Sequence, residues 1–289
     1  MLDLNIYKSN DDNAWCPGCG NFGILISLKE ALAELSLKPQ DVVLVSGIGQ
    51  AAKTPHYIKA NGFNGLHGRA LPPAQAIKMV NKKLSVIVTS GDGDSYGEGG
   101  NHFIHCIRRN VDMVHLVHDN QIYGLTKGQG SPTTGKGQVT SMQFEGVYVD
   151  QMNPLAIAIS AGATFVARSF SADKEHLKSM IKAAVNHKGY ALVDIMQPCV
   201  VFNKVNTFKW YKDRIYKLDN SYDSSNKFEA LKKTEEFGDE GIPIGIIYKD
   251  ESKESYDNLH PVLKTGANLV ERKWNVKDTE KLIDEFLFN

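Results

Sequence analysis

Cysteine is scarce in this 289-residue chain: four in all, too few for a disulfide scaffold at this length. An excess of one charge is missing too. The 33 basic and 33 acidic side chains cancel to a formal net charge of zero, so no global field draws the chain to nucleic acid or to an anionic membrane. Neither partner is expected. No window approaches the roughly 18 uninterrupted apolar residues of a membrane span, and Met1-Leu2-Asp3-Leu4-Asn5 lacks the charged and apolar regions of a signal peptide. A cytoplasmic location is expected. No internal repeat or low-complexity tract interrupts the chain. What is present is 42% hydrophobic content, enough to bury a full core as one large α/β domain or as one domain with an appendage.

The chemistry concentrates between Thr89 and Gly128. Ser85-Val86-Ile87-Val88-Thr89 is a β-branched run that ends in Gly91-Asp92-Gly93-Asp94, which predicts a buried parallel strand with a turn at its carboxyl end. Residues 101–109 then predict a helix, and 113–117 a second strand stopping just before Asp119 and Asn120. This βαβ unit brings Asp92 and Asn120 to one edge of the sheet, where open α/β sheets bind ligands. Glycines let backbone N–H groups approach an anion, and Mg²⁺ takes oxygen ligands with only one or two carboxylates beside substrate phosphates. A Gly-Asp-Gly run followed by an Asn at this distance resembles the thiamine diphosphate signature, which implies that Asp92, Asn120 and the Ile122 carbonyl hold Mg²⁺. The competing reading is a surface turn at GDGD with Asn120 as a cap.

Trp15-Cys16-Pro17-Gly18-Cys19-Gly20 precedes an amphipathic pattern with Ile24, Leu25, Leu28, Ala31, Leu32 and Leu35 on one face. A CxxC pair can bind zinc, exchange thiols or sit in a turn; zinc wants a second close pair, which Cys106 and Cys199 do not form. A predicted strand over 41–45 runs into Ser46-Gly47-Ile48-Gly49, a second glycine-rich strand end able to cradle a diphosphate. His67-Gly68-Arg69 suits an anion or a solvated surface equally, and a helix follows over 73–82. Strands over 163–167 and 190–195 flank a helix over 173–187, so the sheet is at least five strands wide. Beyond Trp210 come lysine- and glutamate-rich stretches, an apolar run over 242–248 and a terminal helix over 279–288.

WCPGCGNFGI, SGIG, LHGRALP, GDGD, GGNHFIHCIRRN, DNQIYGLTKGQGSPTT and Gln197-Pro198-Cys199 occur in the order found in the 2-oxoacid:ferredoxin oxidoreductase β subunits, and the resemblance spans roughly residues 15–210. It implies a thiamine-diphosphate-binding α/β fold with a mostly parallel sheet flanked by helices, formed by 1–210, and a C-terminal extension or partner-binding arm over 211–289. It also implies thiamine-dependent decarboxylation of a 2-oxoacid, pyruvate, 2-oxoglutarate or similar, to an acyl-coenzyme A and CO₂. Two electrons pass singly through an iron-sulfur cluster to ferredoxin. Carried over by position, Ser46, Gly47, Ile48, Gly49, His67, Arg69, Gly91, Gly93, Asp94, Gly124 and Thr126 surround the cofactor. Lys53, Leu125 and Lys127 stand near the 2-oxoacid, where a lysine attracts the carboxylate, and Lys53, His67 and Lys127 are the catalytic candidates. An isolated lysine is otherwise a solvated loop residue.

The cluster pattern resembles Cys16, Cys19, a cysteine after SGIG and the cysteine of QPC, but Gln50 follows SGIG. A four-iron cluster takes four thiolates, and Cys106 belongs to a helix position expected to pack in the core. Three outcomes stay open: a three-iron cluster, a four-iron cluster with water, Gln50 or another group at the fourth iron, or no cluster. The aminopyrimidine-binding half of a thiamine enzyme is absent from the chain, which implies an α subunit, as a dimer of heterodimers. Lys204, Lys209, Lys212, Arg214 and Lys217 form either a ferredoxin-docking face or a solvated one. Two alternatives remain: a cluster-deficient non-oxidative decarboxylase subunit, and a non-enzymatic phosphate-binding or zinc-stabilised assembly subunit.

Overall fold

The computed structural model describes residues 2–273 and 275–287. α1 (Asn21–Glu34) buries Ile24, Leu25, Leu28, Ala31 and Leu32, the face the periodicity predicts. Leu35 caps the helix, and Ser36 at φ 57° turns the chain away. β1 (Val42–Ser46), the edge strand β2 (Asn61–Asn64), α2 (Leu71–Val80), β3 (Ser85–Gly91), α3 (Gly100–Arg109) and β4 (Met113–Asp119) follow in order. β4 runs two residues further than the expected 113–117, so Asp119 is its last residue. A small hairpin of β5 (Ile122–Tyr123) and β6 (Gln129–Gly130) leads through a long loop to α4 (Pro154–Ser160), β7 (Phe165–Phe170), α5 (Lys174–Asn186) and β8 (Tyr190–Met196).

Beyond residue 210 the chain does two things. α6 (Phe208–Lys212), β9 (Ile215–Lys217), α7 (Lys227–Thr234) and β10 (Ile242–Lys249) continue the α/β body; β10 is the apolar run over 242–248, and it pairs antiparallel with β7. From Asp250 onward α8 (Tyr256–Leu259) and α9 (Val276–Leu287) lie off the sheet. The expected terminal helix over 279–288 falls on α9, which starts three residues earlier, at Val276; Phe288 lies outside the described residues.

Among the described residues the sheet has eight strands in the order β2-β1-β3-β4-β8-β7-β10-β9. All pairings from β2 to β7 are parallel. Strands β1, β4, β7 and β8 are buried at every residue, because helices cover both faces and leave no position for a polar alternation. Val43, Val45, Val86 and Val88 face α2, α3, α4 and α7, while Leu44, Ile87, Leu116 and Val193 face α1 and α5. Register aligns Ser46 with Thr89, Gly91 with His118, and Asp119 with Met196. The carboxyl ends of β1, β3, β4 and β8 therefore open on one edge. Among the described residues no helix is long and apolar enough to cross a membrane.

Candidate functional site

At that edge a pocket of about 110 Å³ is lined by Ile48, Gly49, Gln50, Ala51, His67, the 91–94 turn, Asn120 and the 122–126 turn. Most of the residues expected around the cofactor thus converge: Ile48, Gly49, His67, Gly91, Asp92, Gly93, Asp94, Asn120, Ile122, Gly124, Leu125 and Thr126. Ser46, Gly47, Lys53, Arg69 and Lys127 lie outside this lining. The Ser46 hydroxyl is buried without a partner at the end of β1. Lys127 sits on an exposed turn with φ 69°, closed by its N–H to the Gly124 carbonyl; Lys53 belongs to the short 3-10 turn Ala51–His56, and Arg69 is exposed.

Asp92 is 1% exposed. Ser131 and Thr133 donate their hydroxyls to its Oδ2 at 2.5 and 2.6 Å. Burial raises its carboxyl above the ordinary range in spite of these donors, the condition of an acid whose counter-cation belongs beside it. Asn120 Oδ1 accepts the Ile122 N–H at 3.0 Å and keeps a lone pair free. One buried carboxylate, one amide oxygen and one carbonyl make an all-oxygen donor set that suits Mg²⁺.

Asp94 has a different task. Its Oδ1 accepts the N–H of Ile48 at 3.0 Å and of Gly68 at 2.8 Å, and meets His67 Nδ1 at 2.7 Å. It ties the SGIG, HGR and GDGD loops together at the pocket wall. On the other side of His67, Nε2 lies 3.7 Å from Glu98 Oε2, and Tyr123 donates its hydroxyl to that carboxylate at 3.0 Å. Burial and then the Glu98 charge hold the Tyr123 hydroxyl well above its usual range.

Behind Asp92 lies a group that sequence reasoning missed. The same Thr133 oxygen lies 2.9 Å from Asp119 Oδ1, so its single proton serves one of the two carboxyl groups at a time, and Asp119, Asp194 and Arg168 line a second cavity of about 210 Å³. Burial, then the neighbouring Asp194 and Asp92, raise the Asp119 carboxyl strongly. Burial raises Asp194 to about 6 against the pull of Arg168, and Tyr96 donates to it at 2.8 Å. Ser131 and Thr133 belong to the GQGSPTT stretch, but a hydroxyl in a loop carries no sign of which carboxylate it meets.

Cys16, Cys19 and Cys199 line a smaller pocket of about 30 Å³ together with Trp15, Gln50, Gln197 and Phe202. Gly20 lets α1 begin here: a Cβ on it would stand 2.8 Å from the Gln197 side chain. Burial pushes the Cys19 thiol up to about 11, with Cys199 and Cys16 near enough to add to it. Cys106 is buried in α3, 3.8 Å from the Met113 sulfur, and takes no part. Among the described residues no group of three or more His, Cys, Asp or Glu side chains stands ready as a metal site. The donor chemistry nonetheless fits iron-sulfur: three thiols on one pocket wall, and a Gln50 Oε1 that is buried without a partner. Gln50, Asn120 and Gly124 line both pockets.

The basic run past Cys199 is partly committed. Lys204 donates to the Val200 carbonyl at 2.6 Å, Arg214 pairs with Asp239 at 2.6 Å and stacks on Trp210, and Lys217 pairs with Asp173 at 2.7 Å.

Comparison with known proteins returns one answer. Residues 42–195 match the thiamine pyrophosphate enzyme family's C-terminal TPP binding domain, and residues 199–265 match the C-terminal family of the pyruvate ferredoxin oxidoreductase beta subunit. The chain is 47% identical over 263 residues to subunit beta of 2-oxoacid:ferredoxin oxidoreductase 1 of Aeropyrum pernix, covering 87% of this chain and 82% of that one. It is 48% identical over 258 residues to the 2-oxoacid:ferredoxin oxidoreductase subunit beta of Saccharolobus solfataricus, covering 85% and 84%. Among solved structures, a 2-oxoglutarate:ferredoxin oxidoreductase from Magnetococcus marinus with 2-oxoglutarate, coenzyme A and succinyl-CoA bound superposes with a TM-score of 0.91 at 34% identity, over 100% of this chain and 96% of that one.

Proposed function

The chain belongs to the β subunits of the 2-oxoacid:ferredoxin oxidoreductases, and from that premise we propose that with an α subunit it carries out oxidative decarboxylation of a 2-oxoacid. The balance is one 2-oxoacid, one coenzyme A and two oxidised ferredoxins to one acyl-coenzyme A, one CO₂, one proton and two reduced ferredoxins. The bond between C1 and C2 breaks, a bond to the coenzyme A sulfur forms, and the acyl carbon loses two electrons. Thiamine diphosphate supplies the electron sink when bound.

In this reading Asp92, Asn120 and the Ile122 carbonyl hold Mg²⁺. The glycine-rich strand ends Ser46–Gly49 and Gly91–Gly93, with His67, Arg69 and Thr126, surround the diphosphate, the Ile48 N–H being held by Asp94. Lys53 and Lys127, outside the pocket lining, are assigned to attract the substrate carboxylate, and Leu125 to shape the space for its side chain. Cys16, Cys19 and Cys199 hold an iron-sulfur cluster, with Gln50 in place of a fourth thiolate. The observation that carries the reading is the wall of Gln50, Asn120 and Gly124 shared by the two pockets: a redox centre held by the cysteines would adjoin the cofactor that must be oxidised.

The test is electron paramagnetic resonance before and after dithionite, with iron counted in the same sample, on the αβ complex purified without oxygen. A signal in the oxidised sample identifies a three-iron centre. A signal appearing only on reduction identifies a four-iron centre with a substitute ligand. Iron-free, silent protein that releases aldehyde without coenzyme A would replace this reading with the non-oxidative decarboxylase, a reading that the Gln50 substitution favours; zinc in place of iron would point to the assembly subunit.

A further inference from the structure

Gln197 is 1% exposed, so no water can stand in for a lost partner. Its side chain bonds to the carbonyl of the next residue and to two groups on other segments. Nε2 donates to the Pro198 carbonyl at 3.1 Å and to Cys19 Sγ at 3.4 Å, while Oε1 accepts from Asn120 Nδ2 at 3.3 Å. The Gln197 main-chain N–H is itself tied to the Asp119 carbonyl at 2.8 Å. Gly20 presses α1 against its side chain.

A primary amide has one accepting end and one donating end. The Pro198 carbonyl can only accept, so it selects the Gln197 nitrogen for its own side. The oxygen is thereby turned toward Asn120, which must answer with its nitrogen. Asn120 Oδ1 is then left facing the Ile122 N–H and the cofactor pocket. Turning Gln197 over would bring two NH₂ groups together and set an oxygen against the Pro198 carbonyl; turning Asn120 over would set its NH₂ against the Ile122 N–H and its oxygen against Gln197 Oε1, in each case a buried mismatch of full desolvation cost.

We propose that Gln197 is a positioning residue that, together with the Ile122 N–H, fixes which end of Asn120 faces the cation, and that it makes the cation site depend on the wall it shares with Cys19. The proposal rests on the assignment of Asn120 as a Mg²⁺ ligand. A cation can use the amide oxygen and is repelled by the NH₂ group, so the orientation is a requirement of binding. An aspartate in place of Asn120 has an oxygen at each end and needs no such selection.

That difference supplies the test. Thiamine diphosphate is titrated calorimetrically in the presence of Mg²⁺ into four αβ complexes: wild type, Gln197→Met, Asn120→Asp and the double variant, with melting temperatures measured alongside. Methionine keeps the volume and removes both amide ends. The expected result is a roughly three- to tenfold rise in Kd on Gln197→Met beside the native Asn120, and less than about twofold in the Asn120→Asp background. The same factor in both backgrounds would reduce Gln197 to a packing role, and no change beside Asn120 would overturn the proposal outright. Wild-type complex without Mg²⁺-dependent binding would instead overturn the assignment of the cation site, and this inference with it. Melting temperature alone falls if the residue is merely structural, so a lowered melting temperature with unchanged Kd also counts against it.

Discussion

The two pockets are built in opposite ways although they share a wall. Around the diphosphate pocket the chain leaves little to chance: Asp94 joins three loops, Ser131 and Thr133 saturate one oxygen of Asp92, and Glu98 holds both Tyr123 and His67. Around the cysteines, Cys16 is exposed, Gln50 Oε1 is unpartnered, and the sulfurs accept only weak N–H bonds, from Gln197 and Asn21 to Cys19 and from Phe202 to Cys199. An organic cofactor that exchanges needs a preformed site, because ordering loops at each binding event would cost affinity. An inorganic cluster assembled once can itself supply the order, as metals do in small metal-stabilised folds.

The widest separation between the two regions should come from Asp92→Asn. It keeps shape and most hydrogen bonding but removes the one carboxylate offered to Mg²⁺, so the affinity for thiamine diphosphate should fall on the order of a hundredfold or more. Iron content should stay at the wild-type value. Loss of iron together with the cofactor, measured on one preparation, would show that the pockets are not independently built.

Cys199→Ser attacks the other side. With two thiols left no cluster should persist, so iron should fall at least about tenfold, while the Kd for thiamine diphosphate changes less than about threefold because none of the Asp94 or Asp92 bonds is touched. Gln50→Cys completes the thiolate set and should slow iron loss in air severalfold. If that variant lost iron as fast as wild type, the missing fourth thiolate would not be what limits the cluster.

How much of this contrast was legible in the chain differs by region for a physical reason. Asp92 and Asn120 stood out because β-branched runs that stop at Gly or Asn are a local signal, and the βαβ rule places their ends together. Asp119, Asp194 and Arg168 did not stand out, because they meet only through the order β4-β8-β7, and strand order is not written in any single strand. The apolar run over 242–248 was visible, but not its antiparallel seat beside β7. Ser131 and Thr133 reach Asp92 from an aperiodic loop, so neither period 2 nor period 3.6 could mark them. Gln197 was visible as part of a motif around Cys199, yet its bond to Asn120 belongs to the fold.

Acidity offers a finer probe of the preformed side. Burial raises Asp92, so a proton competes with Mg²⁺ for it more strongly than for an ordinary carboxylate. Cofactor affinity should therefore rise with pH, by at most about tenfold per unit, and level off above the raised value; a flat profile would mean that the cation does not sit on Asp92. Asp194, raised to about 6, adds a stability effect of fixed sign. The folded state holds its proton more tightly than the unfolded state, so its contribution is complete below the ordinary value near 4 and is lost as pH rises through about 6. Chemical denaturation of apo complex across that window should show the loss, and Asp194→Asn should flatten it.

The smallest expected effect lies at Glu98. Tyr123 fills a slot cut by two glycines: a Cβ on Gly93 would overlap its ring, and one on Gly97 would overlap its hydroxyl. The slot alone holds the ring, and Glu98 adds one charge-assisted bond from a half-exposed carboxylate, whose strength solvent reduces. Glu98→Ala should raise the Kd for thiamine diphosphate only about two- to threefold, and Glu98→Gln, which still accepts from Tyr123, less than that. Tyr123→Phe in the Glu98→Ala background should add little, since only the 3.4 Å contact of the hydroxyl with the Gly93 carbonyl is left. A loss of about tenfold or more on Glu98→Ala would mean that the loops are not held mainly by Asp94, and that the preformed pocket owes its order to the carboxylate at its mouth.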